Sequence, residues 1–111
     1  MIKIALPIKD TKLSSQFGNC TDFQIYSIVN SIVVKEELIP VPLHQPDSIP
    51  NWLAKRGVSD VITTGIGLQA IKILTRHKIN VFAGVKAKDT KILIQEYLDG
   101  ILETSGILYD H

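Results

Sequence analysis

The chain has 111 residues, of which 45% are hydrophobic, and its 12 basic and 11 acidic residues leave a formal net charge of +1. This size and composition predict one domain, spanning residues 1–111, with a single hydrophobic core and no room for a second domain. The two signs of charge are mixed along the chain, which excludes the basic block by which proteins bind nucleic acid or an anionic membrane surface.

Three strands are predicted in the first part of the chain. Residues 2–8 alternate apolar side chains as a strand does, and Pro7 interrupts them too early for a signal peptide or a membrane span, so we expect a cytoplasmic protein. A polar loop is predicted over residues 9–21. Asn30 and Ser31 separate two β-branched and aromatic runs, and because Asn tolerates a positive φ, we expect an antiparallel hairpin there.

Helices and strands alternate in the rest of the chain. Prolines end the third strand, and a short helix is predicted to begin near Asp47 or Ser48 and stop at Gly57. A fourth strand is predicted over residues 60–64, a helix over 68–78 and a fifth strand over 79–85. Asp89 is expected to cap a last helix that ends near Gly100, followed by a flexible tail of residues 101–111. The side chains predicted to face inward from that helix are Ile92, Leu93, Tyr97 and Leu98.

This order of elements predicts a three-layer, ribonuclease-H-like α/β fold. Helical crossovers make strands parallel and the tight hairpin makes its strands antiparallel, which gives a mixed five-stranded sheet of order 3-2-1-4-5, with strand 2 antiparallel and helices on both faces. The loops after strands 1 and 4 then leave the same sheet edge, where open α/β sheets bind ligands. We therefore expect a crevice between the loop of residues 9–21 and the turn of residues 64–67.

Two glycines, Gly65 and Gly67, join the fourth strand to the helix that begins near Leu68. Glycine permits a sharp turn and a close approach of the backbone to a bound group, and the first N–H groups of a helix favour negative charge. The turn lacks the third glycine of a dinucleotide fingerprint and the Gly-Lys-Ser/Thr ending of a P-loop. A tight turn without a ligand is the alternative interpretation.

Two motifs resemble those of a known family. The segment Leu13-Ser14-Ser15-Gln16-Phe17-Gly18-Asn19-Cys20-Thr21-Asp22-Phe23 is similar to the "L-S-x-H-F-G-x-x-x-x-F" element of the dinitrogenase iron–molybdenum cofactor biosynthesis family, the nitrogenase accessory factor-like proteins. The segment Val61-Ile62-Thr63-Thr64-Gly65-Ile66-Gly67-Leu68-Gln69-Ala70-Ile71 is similar to its "V-I-x-G-G-I-G-x-x-A-I" element. The resemblance extends from Met1 to near Gly100 and implies a ribonuclease-H-like fold. It also implies a non-catalytic role in carrying or inserting iron- or molybdenum-containing clusters or their precursors.

The resemblance places the predicted binding site on the loop and the turn. Backbone amides are expected to hold a preassembled iron–sulfur or iron–molybdenum type cluster that brings its own sulfide or organic ligands. Cluster-donor or acceptor proteins are the expected partners, and neither nucleic acid nor membrane is expected. The predicted cofactor-binding residues are Phe17, Gly18, Asn19, Cys20, Thr64, Gly65, Ile66 and Gly67.

Cys20 and His44 are the candidate metal ligands, because thiolate and imidazole suit transition metals. Nearby backbone amides are expected to lower the pKa of Cys20, and a small half-buried hydrophobe is the alternative for it. His44 reaches the crevice only if the proline-rich segment folds back, and an exposed loop histidine is the alternative. Gln16 stands where the family often has histidine, and its amide is a poor metal donor.

Other functions fit the sequence less well. A metal-dependent nuclease needs several converging carboxylates, and Asp10 is the only acid directly after the first strand. A hydrolase is disfavoured because no predicted geometry pairs Cys20 with His44. The main alternative is a module that binds a small anion or phosphorylated metabolite at Gly65 and Gly67, with Lys9 or Lys12 supplying charge.

A structural homodimer through the edge strand of residues 32–39 is a further alternative. The charged side chains of Lys35, Glu36 and Glu37 on that strand argue against open-ended pairing.

Overall fold

A computed structural model describes residues 1–42 and 48–105, and in these residues six strands and three helices follow one another along the chain. The strands are β1 (Ile2–Lys9), β2 (Lys12–Leu13), β3 (Asp22–Val29), β4 (Ile32–Pro40), β5 (Asp60–Ile62) and β6 (Asn80–Phe82). The helices are α1 (Ile49–Lys55), α2 (Leu68–Arg76) and α3 (Thr90–Leu98), with a short 3-10 helix at Phe17–Asn19.

The strands form one mixed sheet in the order β4-β3-β1-β5-β6, with β2 paired to β1. The strand β1 runs parallel to β5 and antiparallel to β3, while β5 and β6 are parallel. Apart from β2, the strands lie in the order expected from the sequence. The parallel pairing of β1 with β5 brings the ends of these two strands to the same sheet edge.

The central strand β1 is covered on both faces. Ala5 packs on one face with Leu53 of α1 and Leu74 of α2. Leu6 packs on the other face with Leu93 of α3. Successive side chains of a strand point to opposite faces, so the two sides of β1 join two separate clusters of buried residues. The sheet therefore lies between a layer of two helices and a layer of one helix.

Two tight hairpins shape the first part of the chain. Asn30 and Ser31 have φ of +52° and +62°, the geometry expected for the predicted turn between β3 and β4. Asp10 and Thr11 adopt the same geometry, with φ of +52° and +65°, and turn β1 back into β2. The prediction of a plain polar loop over residues 9–21 was therefore wrong, because this loop contains a hairpin and a 3-10 helix.

In the second half of the chain, three elements are shorter than predicted, and one side chain predicted to face inward is exposed. The strand β5 ends at Ile62 rather than at residue 64, α2 ends at Arg76, and β6 is confined to Asn80–Phe82. In α3, Ile92 is 51% exposed, so its predicted inward orientation was wrong. The buried stripe of this helix instead starts at Leu93 and Ile94. Tyr97 and Leu98 continue it one turn later, which leaves Ile92 on the solvent side.

The chain after α3 returns to the sheet. Leu102 packs against the cluster that contains α3, and the amide of Ser105 donates to the carbonyl oxygen of Ala83 at 3.1 Å. The beginning of the predicted tail thus lies beside β6, and residues 106–111 fall outside the described part. Within residues 1–42 and 48–105, no helix has the length and apolar character needed to cross a membrane.

Candidate functional site

The loop before β3 and the turn after β5 are joined by backbone hydrogen bonds. The amide of Phe17 donates to the carbonyl oxygen of Gly65 at 2.8 Å, and the amide of Gly65 donates to that of Ser15 at 3.0 Å. Gln16 and Gly65 form an isolated parallel bridge. The buried hydroxyl of Ser14 donates to the carbonyl oxygen of Gln16 at 2.7 Å and holds the loop from within. The two segments expected at the crevice are therefore in direct contact.

Only glycine fits at position 65. A Cβ there would lie 2.6 Å from the carbonyl oxygen of Ser15 and 2.8 Å from Oε1 of Gln16. Because the first of these atoms is backbone, a larger residue would force the loop away from the turn. The absence of a side chain is what allows this close backbone approach.

A cavity of about 550 Å³ lies beside this contact. Its size is within the range of small-ligand pockets, roughly 300–1,000 Å³. Among the described residues that line it, three side chains are neutral amides and none is charged, so this lining offers hydrogen-bond donors without a fixed charge. The lining residues are Gln16, Phe17, Gly18, Asn19, Gly67, Gln69 and Ala70.

The N-terminus of α2 forms one wall of the cavity. Gly67 occupies the N-cap and supplies no side-chain hydrogen bond, and the first turn of the helix contains no acidic residue. The amide of Ile71 makes the first helical bond, to the carbonyl oxygen of Gly67 at 3.2 Å. The amides of the three preceding helical residues lack such a bond, and together with the helix dipole they favour an anion.

The predicted cofactor-binding residues divide into two groups. Phe17, Gly18, Asn19 and Gly67 line the cavity together. Thr64, Gly65 and Ile66 lie behind it and build the turn, with Ile66 only 1% exposed. Cys20 does not line the cavity either.

Sequence reasoning missed Gln69 and Ala70, which also line the cavity. The available signal was the helix start at Leu68, because the first turn of a helix surrounds whatever its amides face. In the sequence, Gln16 stands out only because it replaces the histidine that is frequent in the family. In the structure, its side chain lies against Gly65 at the edge of the cavity.

Thr64 carries a polar atom without a partner. Its Oγ1 is buried and makes no hydrogen bond within the described residues. A buried hydroxyl without a hydrogen bond lowers the stability of the fold by about 1–3 kcal/mol. Such atoms are therefore rare, and a ligand-binding site is one place where they occur. The carbonyl oxygen of Thr64 accepts from the amide of Gly84 at 2.8 Å, which fixes the turn to the chain after β6.

The environment of Cys20 is that of the alternative interpretation, a small half-buried hydrophobe. Its side chain is half-buried and packs against the cluster that contains Phe17 and Phe23. Burial raises the pKa of the Cys20 thiol from its ordinary value of 9.0 to about 11, and outweighs the lowering by a backbone hydrogen bond. The predicted lowering of the Cys20 pKa was therefore wrong, and the thiol is protonated at neutral pH.

The other candidate ligand, His44, lies outside the described residues. Among the residues that the structure does describe, no three His, Cys, Asp or Glu side chains come together in a way that could hold a metal ion. A metal-containing group in the cavity would thus have to bring most of its own ligands.

Lys9 and Lys12 do not supply charge to this cavity, contrary to the expectation for an anion site. Neither lines it, and Lys12 instead lines a second cavity. The cause is the hairpin at Asp10 and Thr11, which turns Lys12 back alongside β1. The only positive potential offered by the described lining comes from backbone amides.

Known proteins are similar to this chain in fold and in sequence. Residues 1–100 match the family described as "Dinitrogenase iron-molybdenum cofactor". An uncharacterized protein of Methanocaldococcus jannaschii, MJ0580, is 32% identical over 110 residues, which cover 93% of this chain and 91% of the relative. The crystal structure of PH0822 aligns with a TM-score of 0.86 at 27% identity, over 95% of this chain and 96% of that one.

A more distant structure has the same fold. The apo form of the orange protein from Desulfovibrio gigas aligns with a TM-score of 0.71 at 20% identity, over 96% of this chain and 94% of that one. From its match over residues 1–100, the chain belongs to the dinitrogenase iron–molybdenum cofactor family.

Proposed function

We propose that this protein is a non-catalytic carrier for an anionic iron- or molybdenum-containing cluster, or its precursor, in cofactor biosynthesis. The observation that carries the proposal is the cavity at the contact of loop and turn, where the described lining residues present amide donors and no charged side chain. Membership of the family points to the chemical class of the cargo. The cytoplasm is its predicted location, and cluster-donor or acceptor proteins are its predicted partners.

Hydrogen bonding is the proposed means of holding the cargo. The amides at the start of α2 and the side-chain amides of Gln16, Asn19 and Gln69 can donate to sulfide or oxygen atoms on the surface of a cluster. The protonated thiol of Cys20 would first have to lose its proton to ligate a metal. Ligation by Cys20 or by His44 stays a prediction.

The lack of a catalytic role is supported by the chemistry of the cavity lining. Proton transfer needs a titratable group within hydrogen-bond reach of the reacting atom, and among the residues that the structure describes no titratable side chain lines this cavity. The residues that line it can bind and orient a group, and they can shield it from water on one side.

We also propose that the arrangement is ribonuclease-H-like. The supporting features are the antiparallel β3 beside β1, the parallel β5 and β6 beyond it, and helices on both faces of the sheet. Fold alone does not assign a function, so the carrier proposal rests on the cavity.

Anaerobic loading tests the carrier role. The protein is incubated with an iron–sulfur or iron–molybdenum cluster donor, separated by gel filtration and analysed for iron, molybdenum and sulfide. We expect stoichiometric metal in the protein peak. Equal retention in Cys20→Ser and His44→Ala variants would support hydrogen bonding over ligation, whereas loss of metal in either variant would identify a ligand.

Variants of Gln69 test whether the cavity holds the cargo. Gln69→Glu adds a carboxylate to the first turn of α2, where a helix accepts negative charge without loss of stability, but this carboxylate would repel an anionic cluster. Gln69→Lys is expected to retain the metal. Leu68→Glu is the matched control, because Leu68 is exposed, adjacent and outside the lining. Full retention of metal by Gln69→Glu would overturn the proposal.

A module that binds a small anion or a phosphorylated metabolite is the second candidate, favoured by the uncapped N-terminus of α2. It predicts no metal in the loading experiment. It also predicts saturable shifts of the Gly67 and Gln69 amide signals when inorganic phosphate or a sugar phosphate is titrated.

A further inference from the structure

A second cavity, of about 530 Å³, lies at a different place in the fold. Its walls come from β1, β2, β3, β4 and the chain that leads into α3, and it shares no lining residue with the cavity beside Gly65. Residues that define it include Ile8, Lys12, Leu13, Leu38, Lys88 and Thr90. Nothing in the proposed carrier function uses this region.

The cavity has an apolar floor that the described residues leave uncovered. Leu38 is 58% exposed, although it faces the same side of the sheet as Gln24 and Tyr26, the side on which α3 packs. Ile8 and Leu13 continue the apolar surface toward β1. The helix α3 covers the centre of this face but not the corner at Leu38. A large apolar side chain is thus left open to solvent inside a concave surface.

Charge is distributed unevenly around this floor. Lys88 is paired with Glu96, Nζ to Oε2 at 2.6 Å. The carboxylate of Asp89 accepts from the amide of Lys91 at 3.0 Å and caps α3. Lys12 is exposed and forms no ion pair with any described residue. Among the described residues that line the cavity, Lys12 is therefore the cation without an ion pair, whereas the Asp89 carboxylate keeps its negative charge at the start of α3.

We propose that this cavity binds a small amphipathic anion, with its apolar body on Ile8, Leu13 and Leu38 and its acid group at Lys12. A cavity of about 530 Å³ is in the size range of small-ligand sites. An apolar floor with one unpartnered cation at its edge complements a molecule that joins an apolar ring or chain to one carboxylate or sulfonate. The occupant is a small molecule rather than a peptide, because the apolar floor is confined to these three residues.

The fluorescent sulfonate 1-anilinonaphthalene-8-sulfonate is a probe of this class. Titrated into the folded protein, it is expected to bind one equivalent with increased fluorescence and to shift the amide signals of Leu13, Leu38 and Thr90. Added salt is expected to weaken binding, because an exposed ion pair is screened.

Two pairs of variants assign the binding to the cavity. Leu38→Gln is expected to raise the Kd of the probe about fivefold or more because the apolar contact is lost. Lys12→Gln is expected to raise it about twofold to fivefold because an exposed ion pair is lost. Val34→Gln is the control for the first variant, because Val34 is 57% exposed on the same strand and outside the lining. Lys9→Gln is the control for the second, because Lys9 pairs with Lys12 across the hairpin and also lies outside the lining.

Three results would overturn this inference. The first is an absence of saturable binding at millimolar probe, with the protein shown to be folded by its amide spectrum. The second is the same Kd in all four variants, and the third is signal shifts at Gly18 and Gly67 instead. The carrier proposal is tested separately, by metal retention in the variants of Gln69.

Discussion

The amide of Phe17 and the carbonyl oxygen of Gly65 are joined by a 2.8 Å hydrogen bond between two segments that are far apart in the sequence. Because backbone atoms make this bond, the relative position of the loop and the turn depends on how closely the main chains approach. A side chain at position 65 would therefore push the loop and the turn apart beside the cavity.

Gly65→Ala is expected to lower the free energy of unfolding by about 1–3 kcal/mol, because the added Cβ overpacks the contact with Ser15 and Gln16. Urea unfolding monitored by circular dichroism measures the change. The matched control is Gly18→Ala, since a Cβ at Gly18 meets no atom within 4 Å. Equal stability of the Gly65→Ala and Gly18→Ala variants would contradict the close approach of Gly65 to Ser15 and Gln16.

Thr64→Val replaces a buried hydroxyl that makes no hydrogen bond within the described residues with a methyl group of similar shape. We expect the free energy of unfolding to stay equal or rise by up to about 1 kcal/mol, because an unsatisfied polar atom is removed. Chemical denaturation provides the value. A clear loss of stability in the ligand-free protein would reveal a hydrogen bond that the structure does not contain.

Gly84 and Gly100 both have positive φ, +74° and +73°, but only Gly84 faces another segment, Ser105. Both Gly→Ala variants are expected to lose about 1–2 kcal/mol through left-handed backbone strain. Only Gly84→Ala should also displace Ser105 and break its bond to Ala83. Hydrogen exchange of the Ser105 amide separates the two variants, and equal protection of that amide would count against the packing of the returning chain.

The raised pKa of Cys20 predicts how stability changes in alkaline solution. The folded protein keeps the thiol proton up to about pH 11, whereas the unfolded chain loses it near 9.0. The folded state therefore binds more protons between these values, and the free energy of unfolding falls as the pH rises through this window.

The measurement for Cys20 is urea unfolding from pH 8 to 10 of the protein and of a Cys20→Ser variant. Tyr26 and Tyr97 also have pKa values raised by burial, but they are present in both proteins and cancel in the difference. The difference in stability is expected to shrink with rising pH. A constant difference would mean that the thiol is not desolvated.

Local residue types and the order of the strands predicted part of the fold around the candidate site. The residue type of Asn30 predicted its hairpin, because Asn tolerates a positive φ. The same turn at Asp10 and Thr11 was not predicted, because it depends on the pairing of β2 with β1. The meeting of the two loops followed from strand order. The burial of Cys20 did not, because it depends on side chains from distant elements such as those around Phe23.

Amide spectra of the loaded protein test the central claim most directly. After anaerobic loading with an iron–sulfur or iron–molybdenum donor, the signals of Gly18 and Gly67 are compared with those of the unloaded protein. Our account predicts that both signals shift or broaden together, while those of Leu38 and Thr90 stay unchanged. Stoichiometric metal with both glycine signals unmoved would show that the cargo binds elsewhere.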